Sequence, residues 1–326
     1  MKKMLILLAL ILLALFWAWY SLTQPLFESP PPAEGLPRAN PKALETHVRA
    51  LCRFAPRDSD HPANLERAAA YVYGELHKAG GRVTSQTFQA DGRSYRNVLA
   101  TFGPESRTRV IVGAHYDAFD AAPGADDNAS GVAALIEVAR LLGGASEELP
   151  ALKLQVDLAA YALEEPPYFR SELMGSAMHA KWLKGSGVEV KAMLCLESIG
   201  YYSDAPGSQR LPHPMLRFLY PTRANFVAVV GQWNAGSLVR RVKESMTAAG
   251  DLPVRSIDAP SSLAGVDFSD HLSFWREGYP AVMITGTAFY RNDRYHTAGD
   301  TPDTLDYVRL AKATRGVANA VVALAK

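Results

Sequence analysis

Five nearly uninterrupted apolar runs constrain the fold of this 326-residue chain more than any other feature. They lie at Arg109 to Ala114, Leu152 to Leu163, Val188 to Leu196, Phe226 to Gly231 and Ala281 to Thr285. A strand with one face in water alternates apolar and polar residues, so runs without alternation belong to strands covered on both faces. Between most of them lie stretches of helical periodicity, at Ser130 to Leu142, Leu173 to Lys184, Ala235 to Ala249 and Asp270 to Glu277, with a last helix from about Pro302. That alternation implies an α/β fold in which a central, mostly parallel (mixed) β-sheet is sandwiched by helices. Ahead of it, Ala43 to Arg53 and Asn64 to Ala79 read as amphipathic helices, the second with Leu65, Ala68, Ala69, Val72 and Leu76 on one face. Arg82 to Gln89 and Tyr95 to Phe102 read as a strand pair turned at Asp91-Gly92.

The N-terminus has a different texture. Lys2 and Lys3 precede an apolar stretch from Met4 to Tyr20, and no further charge follows until Glu28. Such a stretch inserts into membranes, as a cleaved signal peptide or as an anchor. No Ala-x-Ala site follows it, and Trp17, Trp19 and Tyr20 suit an interfacial belt, which favours an uncleaved anchor over residues 1–23. The flanking lysines orient the N-terminus to the cytoplasm, leaving the remainder on the extracytoplasmic (periplasmic or extracellular) side. Residues 24–41, with Pro25, Pro30, Pro31, Pro32, Pro37 and Pro41, are expected to form an extended spacer, and 42–326 a single globular domain. A net charge of +1 argues against nucleic acid or another polyanion as partner. Cys52 and Cys195 are too few and too far apart for a disulfide framework, and Cys195 sits in an apolar run that suits a buried thiol.

Several apolar runs end in groups that bind cations. Gly113-Ala114-His115-Tyr116-Asp117 closes the first, with His115 and Asp117 two apart and so projecting to one side. The turn Pro123 to Gly131 carries Asp126 and Asp127 straight into a helix. Asp, Asn and Ser there suit a helix cap, and one residue can serve the cap while another faces a metal. Glu164-Glu165 leave the second run together, and Glu197 closes the third. Buried carboxylates are costly unless paired or bound to cations. His296 stands in Tyr295-His296-Thr297-Ala298-Gly299-Asp300-Thr301, with Thr301 and Pro302 suited to the N-cap and first turn of the final helix. Most of these groups follow the C-terminal ends of strands, the edge where open α/β sheets build their sites. Two imidazoles with several carboxylates suit zinc better than calcium or magnesium, and a set this large allows two metals to share a bridging carboxylate. His47, His61, His77, His179 and His213 have no acidic cluster around them and read as ordinary surface or core residues.

In order, spacing and context, these segments resemble the di-zinc aminopeptidases of the zinc exopeptidase family that also contains glutamate carboxypeptidase II and the glutaminyl cyclases. The resemblance covers roughly residues 60–310. It implies a zinc peptidase catalytic domain with two Zn²⁺ ions, acting on a peptide with a free N-terminus. His115 and Glu197 would complete one ion's ligands, Glu165 and His296 the other's, and Asp127 would bridge both. Glu164 would be the general base, and Asp117 the acid that orients the liganding histidine. Ser269-Asp270-His271 resembles a further family motif that supports the site. Three positions depart from the pattern. Glu197 stands where the aminopeptidases usually have aspartate, Pro166-Pro167 replaces a glycine-containing segment, and Val266 stands where some relatives have tyrosine. Tyr290 or Tyr295 would then have to supply the hydrogen bond to the oxyanion. A glutaminyl cyclase-like acyltransferase and an inactive receptor-like binding module are the rival expectations on the same fold.

Overall fold

The computed structural model describes residues 2–23, 36–144, 151–233, 235–250 and 252–326. Eight strands form one sheet: β1 (Arg82–Ala90), β2 (Arg93–Phe102), β3 (Thr108–His115), β4 (Gln155–Tyr161), β5 (Glu189–Glu197), β6 (Val227–Gln232), β7 (Val254–Ala259) and β8 (Ala281–Thr285), in the order β1-β2-β4-β3-β5-β8-β6-β7. The inner four, β4-β3-β5-β8, run parallel. The flanks are antiparallel to them, β2 against β4 on one side and β6 against β8 on the other. This is the mixed α/β sheet that the apolar runs call for, and its central strands are buried along most of their lengths.

Helices α2 (Pro41–Cys52), α3 (Pro62–Lys78), α4 (Gly131–Gly143), α5 (Gly175–Gly185), α6 (Gly236–Ala248), α7 (His271–Arg276) and α8 (Tyr307–Ala325) cover the sheet. One core unites α2, α3, α4 and α8 with Val110, Val112, Leu158 and Leu194 of the central strands. A second lies on the opposite face, where Ala180 and Leu183 of α5 and Phe274 of α7 meet Ile111, Tyr161 and Met193. Each such Leu or Ile contributes roughly 1.5–3 kcal/mol by leaving water, which fixes the strand ends relative to one another.

Four details differ from the sequence expectation. β7 was not anticipated, because Val254–Ala259 lies at the sheet edge, where Arg255 is exposed and the pattern alternates. The run at 152–163 yields only seven strand residues, since Leu163 turns the chain at φ 62. The last helix begins at Tyr307, capped by the Asp306 carboxylate, which accepts from Arg309 N at 2.9 Å, while Pro302–Thr304 forms a separate 3₁₀ turn. Thr301 therefore precedes that turn and does not cap the final helix. Residues 24–35 of the proposed spacer lie outside the described residues, whereas Leu36 and Ala39 are buried in the first core. Both cysteines are free, and Cys195 is buried.

Helix α1 (Lys2–Thr23) is long and apolar enough to cross a membrane, as a membrane anchor and a signal sequence both are. At 1.5 Å per residue it reaches about 33 Å, the thickness of a bilayer's hydrocarbon core. Its side chains from Met4 to Trp17 are exposed, and only its last turn meets the sheet domain.

Candidate metal centre

The ligand-type residues meet at the C-terminal edge of the parallel strands. β3 delivers His115 as its last residue and β5 delivers Glu197 as its last. Glu164 and Glu165 follow β4, past the left-handed Leu163. Ser198 (φ 48), just after Glu197, and His296 (φ 57) also lie in the left-handed region. Non-glycine residues rarely adopt it, so the packing around the cluster holds the backbone there to aim these side chains.

Asp127 sits at the middle. Its Oδ1 is 3.3 Å from His115 Nε2 and its Oδ2 is 3.1 Å from His296 Nε2. His115 Nε2 is also 3.3 Å from Glu197 Oε2 and 3.9 Å from Glu164 Oε2. His296 Nε2 is 3.3 Å from Glu165 Oε2. Two trios, His115-Asp127-Glu197 and Asp127-Glu165-His296, thus share one carboxylate, with each trio's donor atoms within 4.8 Å of one another. A third such trio, His115-Glu164-Glu165, overlaps them.

The donor atoms fit a bound cation. Nε2 of both histidines, Asp127 Oδ1 and Glu165 Oε1 are buried without hydrogen-bond partners. Nature leaves few such atoms unsatisfied, and a set of inward-facing donors of this kind is what metal ligation requires. Imidazole nitrogen with carboxylate oxygen is the donor set of zinc and related borderline ions.

Electrostatics point the same way. Burial pushes the Glu165 carboxyl up to about 7, with Asp127 adding to the rise and His296 and His115 opposing it. Burial also drives Glu164 well above the carboxylate range, reinforced by Glu165, Glu197 and Asp270 and opposed by His115. For His115, burial favours the neutral ring, but Glu164 and the neighbouring carboxylates Asp117, Asp127 and Glu197 outweigh it and raise the pKa. The same contest lifts His296 to about 10, where Asp127 and Glu165 overcome the burial. A knot of carboxylates this tight draws in positive charge, as protons or as divalent cations.

Around the cluster lies a scaffold of hydrogen bonds. Asp117 Oδ1 faces His115 Nδ1 at 3.5 Å, while its Oδ2 accepts from Glu165 N at 3.0 Å. Both Glu197 oxygens accept hydroxyls, from Ser198 and Ser269, each at 2.7 Å. Cys195 Sγ in turn donates to Ser269 Oγ at 3.2 Å. Ser269 and Asp270 of the Ser-Asp-His segment thus lie under the cluster, whereas His271 turns away and pairs with Val266 O at 2.8 Å. His296 is sandwiched between Phe119 and Tyr295, with ring centroids at 4.1 and 3.8 Å.

Asp126 and Asp127, adjacent in sequence, take separate tasks. Asp126 Oδ1 accepts from Gly200 N and Tyr201 N, and its Oδ2 from Asn292 Nδ2, so this acid ties loops together and leaves Asp127 to face the histidines. Helix α4 is then capped by Asn128, whose Oδ1 accepts from Gly131 N at 3.1 Å. A Cβ on Gly131 would stand 2.3 Å from that same oxygen, so only glycine lets the helix start this close.

Two positions in this scaffold were not singled out from the sequence. Arg57 is fully buried and donates to the carbonyls of Tyr116, Leu51, Pro123 and Gly124, bracing the loop that carries Asp127. Asp300 accepts from the backbone nitrogens of Asp126 and Asp127. Asp300 shares the loop marked by His296, whereas Arg57 lies far from every candidate ligand in sequence. Of the remaining histidines, His47 and His179 are buried against tyrosine hydroxyls of Tyr71 and Tyr161.

The chain is similar to several known proteins. An uncharacterized protein of Escherichia coli, YfbL, is 47% identical over 288 residues, covering 86% of this chain and 87% of that one. Leucine aminopeptidase 1 of Sclerotinia sclerotiorum is 26% identical over 230 residues, 67% of this chain and 53% of the other, so the chain spans about half of that protein. Among solved structures, the Legionella pneumophila LapA aminopeptidase superposes with a TM-score of 0.70 at 18% identity, covering 88% of this chain and 72% of that one. A glutaminyl cyclase of Bacteroides thetaiotaomicron superposes with a TM-score of 0.66 at 19% identity, covering 88% and 99%. At these identities the two structures establish the fold alone. The model of peptidase family M28 matches residues 97–321, well over half of the chain, and this protein therefore belongs to that family of peptidases.

Proposed function

We propose that the chain is a two-metal aminopeptidase that removes apolar N-terminal residues from peptides on the extracytoplasmic side of a membrane. The observation that carries this reading is the pair of donor trios sharing Asp127. His115 and Glu197 would complete the ligands of one zinc ion, Glu165 and His296 those of the other. Bound ions would supply the positive charge that lowers the pKa of water and polarises a peptide carbonyl.

The chain's own groups supply the rest. Glu164 Oε2 lies 3.9 Å from His115 Nε2, farther than the Asp127 and Glu197 oxygens at 3.3 Å, so its carboxylate is the one left to carry a proton. Its elevated proton affinity suits a base that takes the proton from the attacking water at Oε2 and returns it to the leaving amine. Asp117 faces the His115 ring at 3.5 Å and accepts from the Glu165 backbone, so it is set to position one ligand from each half. The free amine of the substrate is a cation, and the carboxylates of the cluster complement it. Tyr295 is the better placed of the two tyrosines to donate to an oxyanion. Its phenol is kept protonated first by burial and then by Asp127, Glu165, Glu197 and Glu164, whereas the Tyr290 hydroxyl already donates to Ala264 O at 3.1 Å.

Beside Glu197 opens an apolar cavity of about 110 Å³, walled by Leu216, Phe226, Ala228, Met283 and Phe289 among others. A cavity of this mostly apolar lining and position fits one aliphatic side chain of the substrate's first residue, with Glu197 and Arg255 the charged groups in its wall. Assay of leucyl-, lysyl- and glutamyl-p-nitroanilide, with a glutaminyl peptide alongside, tests the proposal. Leucyl substrate should be cleaved fastest, with activity abolished by 1,10-phenanthroline and restored by Zn²⁺ or Co²⁺. Cyclisation of the glutaminyl peptide without anilide cleavage would replace this reading by the cyclase one, and cleavage indifferent to chelation would end it.

A further inference from the structure

The last turn of α1 is fastened to the sheet domain. Thr23 O accepts from Lys243 Nζ and from Ser256 Oγ, both at 2.5 Å, and the Tyr220 hydroxyl lies 2.8 Å from Leu22 O. The Arg240 guanidinium stands 5.6 Å over the Tyr20 ring. Carbonyls at a helix C-terminus have no partners within the helix and carry its negative end, so a lysine and two hydroxyls there make a specific dock. The dock sits on β7, the edge of the sheet. Tyr20 lies only three positions after Trp17, which is 67% exposed, a rise of about 4.5 Å along the helix axis. If Trp17 lies at the membrane interface, the domain surface beside the dock lies there too.

That surface is built for such a position. Two residues before Tyr220 ends a 3₁₀ turn, Pro214–Phe218, whose Phe218 and Met215 are 74% and 66% exposed. They are the most exposed large apolar side chains outside α1 among the described residues. Arg217 in the same turn lies with its guanidinium 5.0 Å over the Phe218 ring, and Arg240 is exposed nearby at the dock. Aromatic and aliphatic tips flanked by arginines match the boundary of acyl chains and anionic headgroups. The turn's other face belongs to the proposed substrate cavity, through Leu216 and, just beyond, Tyr220.

We propose that Pro214–Phe218 is a wedge that rests in the bilayer surface, with Met215 and Phe218 at the headgroup boundary and Arg217 and Arg240 on anionic headgroups. The docked helix sets its depth, and the cavity wall consequently lies against the membrane. The proposal rests on the reading of α1 as a retained anchor.

Photo-crosslinking of the full chain in vesicles of phosphatidylcholine and phosphatidylglycerol tests it. p-Benzoylphenylalanine would be placed singly at Phe218, at Leu10 within α1, and at Thr87 on β1, the sheet edge opposite β7. The expected result is lipid adducts at 10 and at 218, with the yield at 218 several-fold above that at 87. Adducts at 10 without an excess at 218 over 87 would overturn the wedge while leaving the anchor. Absence of adducts at 10 would show that α1 does not span the bilayer, and the wedge would fall with it.

Discussion

His115 and His296 both face Asp127, at 3.3 and 3.1 Å, yet the first is 1% exposed and the second 24%. The difference lies in what carries them. His115 ends a central strand, with β4 on one side and β5 on the other, and its carboxylate partner Glu197 is held by two serine hydroxyls. His296 rides on a loop in a left-handed conformation and is steadied by the rings of Phe119 and Tyr295. One half of the centre is thus an extension of the sheet and the other a clamp from outside it. The enclosed half should hold its ion tightly, and the outer half should exchange first.

Changing Asp127 should erase the distinction with the largest effect. Asp127→Asn removes the charge common to both trios, so bound zinc should fall from both halves and hydrolysis drop to the uncatalysed background. Retention of one ion in this variant would mean that Asp127 does not bridge.

The adjacent glutamates sharpen the comparison. Glu164→Gln keeps the shape but accepts no proton, so kcat should fall roughly 10²- to 10⁴-fold with metal content intact. Glu165→Gln should lose the outer ion and activity together while the His115 half stays loaded. If the first variant loses metal and the second keeps it, the two roles are reversed.

A smaller effect separates the support of the enclosed half. Ser269→Ala removes the hydroxyl from Glu197 Oε2 and leaves every ligand in place. Loss of such a supporting hydrogen bond lowers metal affinity by about 10- to 100-fold, and here the inner ion alone should feel it. Equal weakening of both ions would show that the halves are not separable.

The mildest expectation concerns pH. In metal-stripped protein, Asp300 is pushed up to about 8 and Glu165 and Asp270 to about 7, chiefly by burial. Acids with raised folded pKa values stabilise the fold when protonated and lose that contribution as pH rises through those values. His296, raised to about 10, acts in the same direction above its ordinary pKa of 6.5. His179 and His271, lowered by burial to about 4, act oppositely, but only below pH 6.5. Between pH 6.5 and 8 the melting temperature of the stripped protein should therefore fall, and Zn²⁺ should flatten the slope. A rise over that interval would contradict the charge balance of the cluster.

Much of the centre could be read directly from sequence because burying an acid is costly. Glu164, Glu165 and Glu197 stand out as acids closing apolar runs, and His115 and Asp117 share the parity of one strand. The rest depends on shapes that no local pattern encodes. Arg57 acts through backbone carbonyls of four separate residues, and Phe119 through the face of a ring on a distant loop. Strand β7 hid at the sheet edge, where Arg255 faces solvent and Ile257 is only partly buried. The apolar cavity, assembled from β6, β7, β8 and the loops beside them, likewise has no signature in any one segment.

The most direct test of the two-metal account is the zinc content of the purified wild-type chain, followed through stepwise chelation with activity read in parallel. The account predicts near two ions per chain, released in two phases, the first weakening or abolishing hydrolysis and the second removing the ion held by His115 and Glu197. A single ion per chain with full aminopeptidase activity would contradict it.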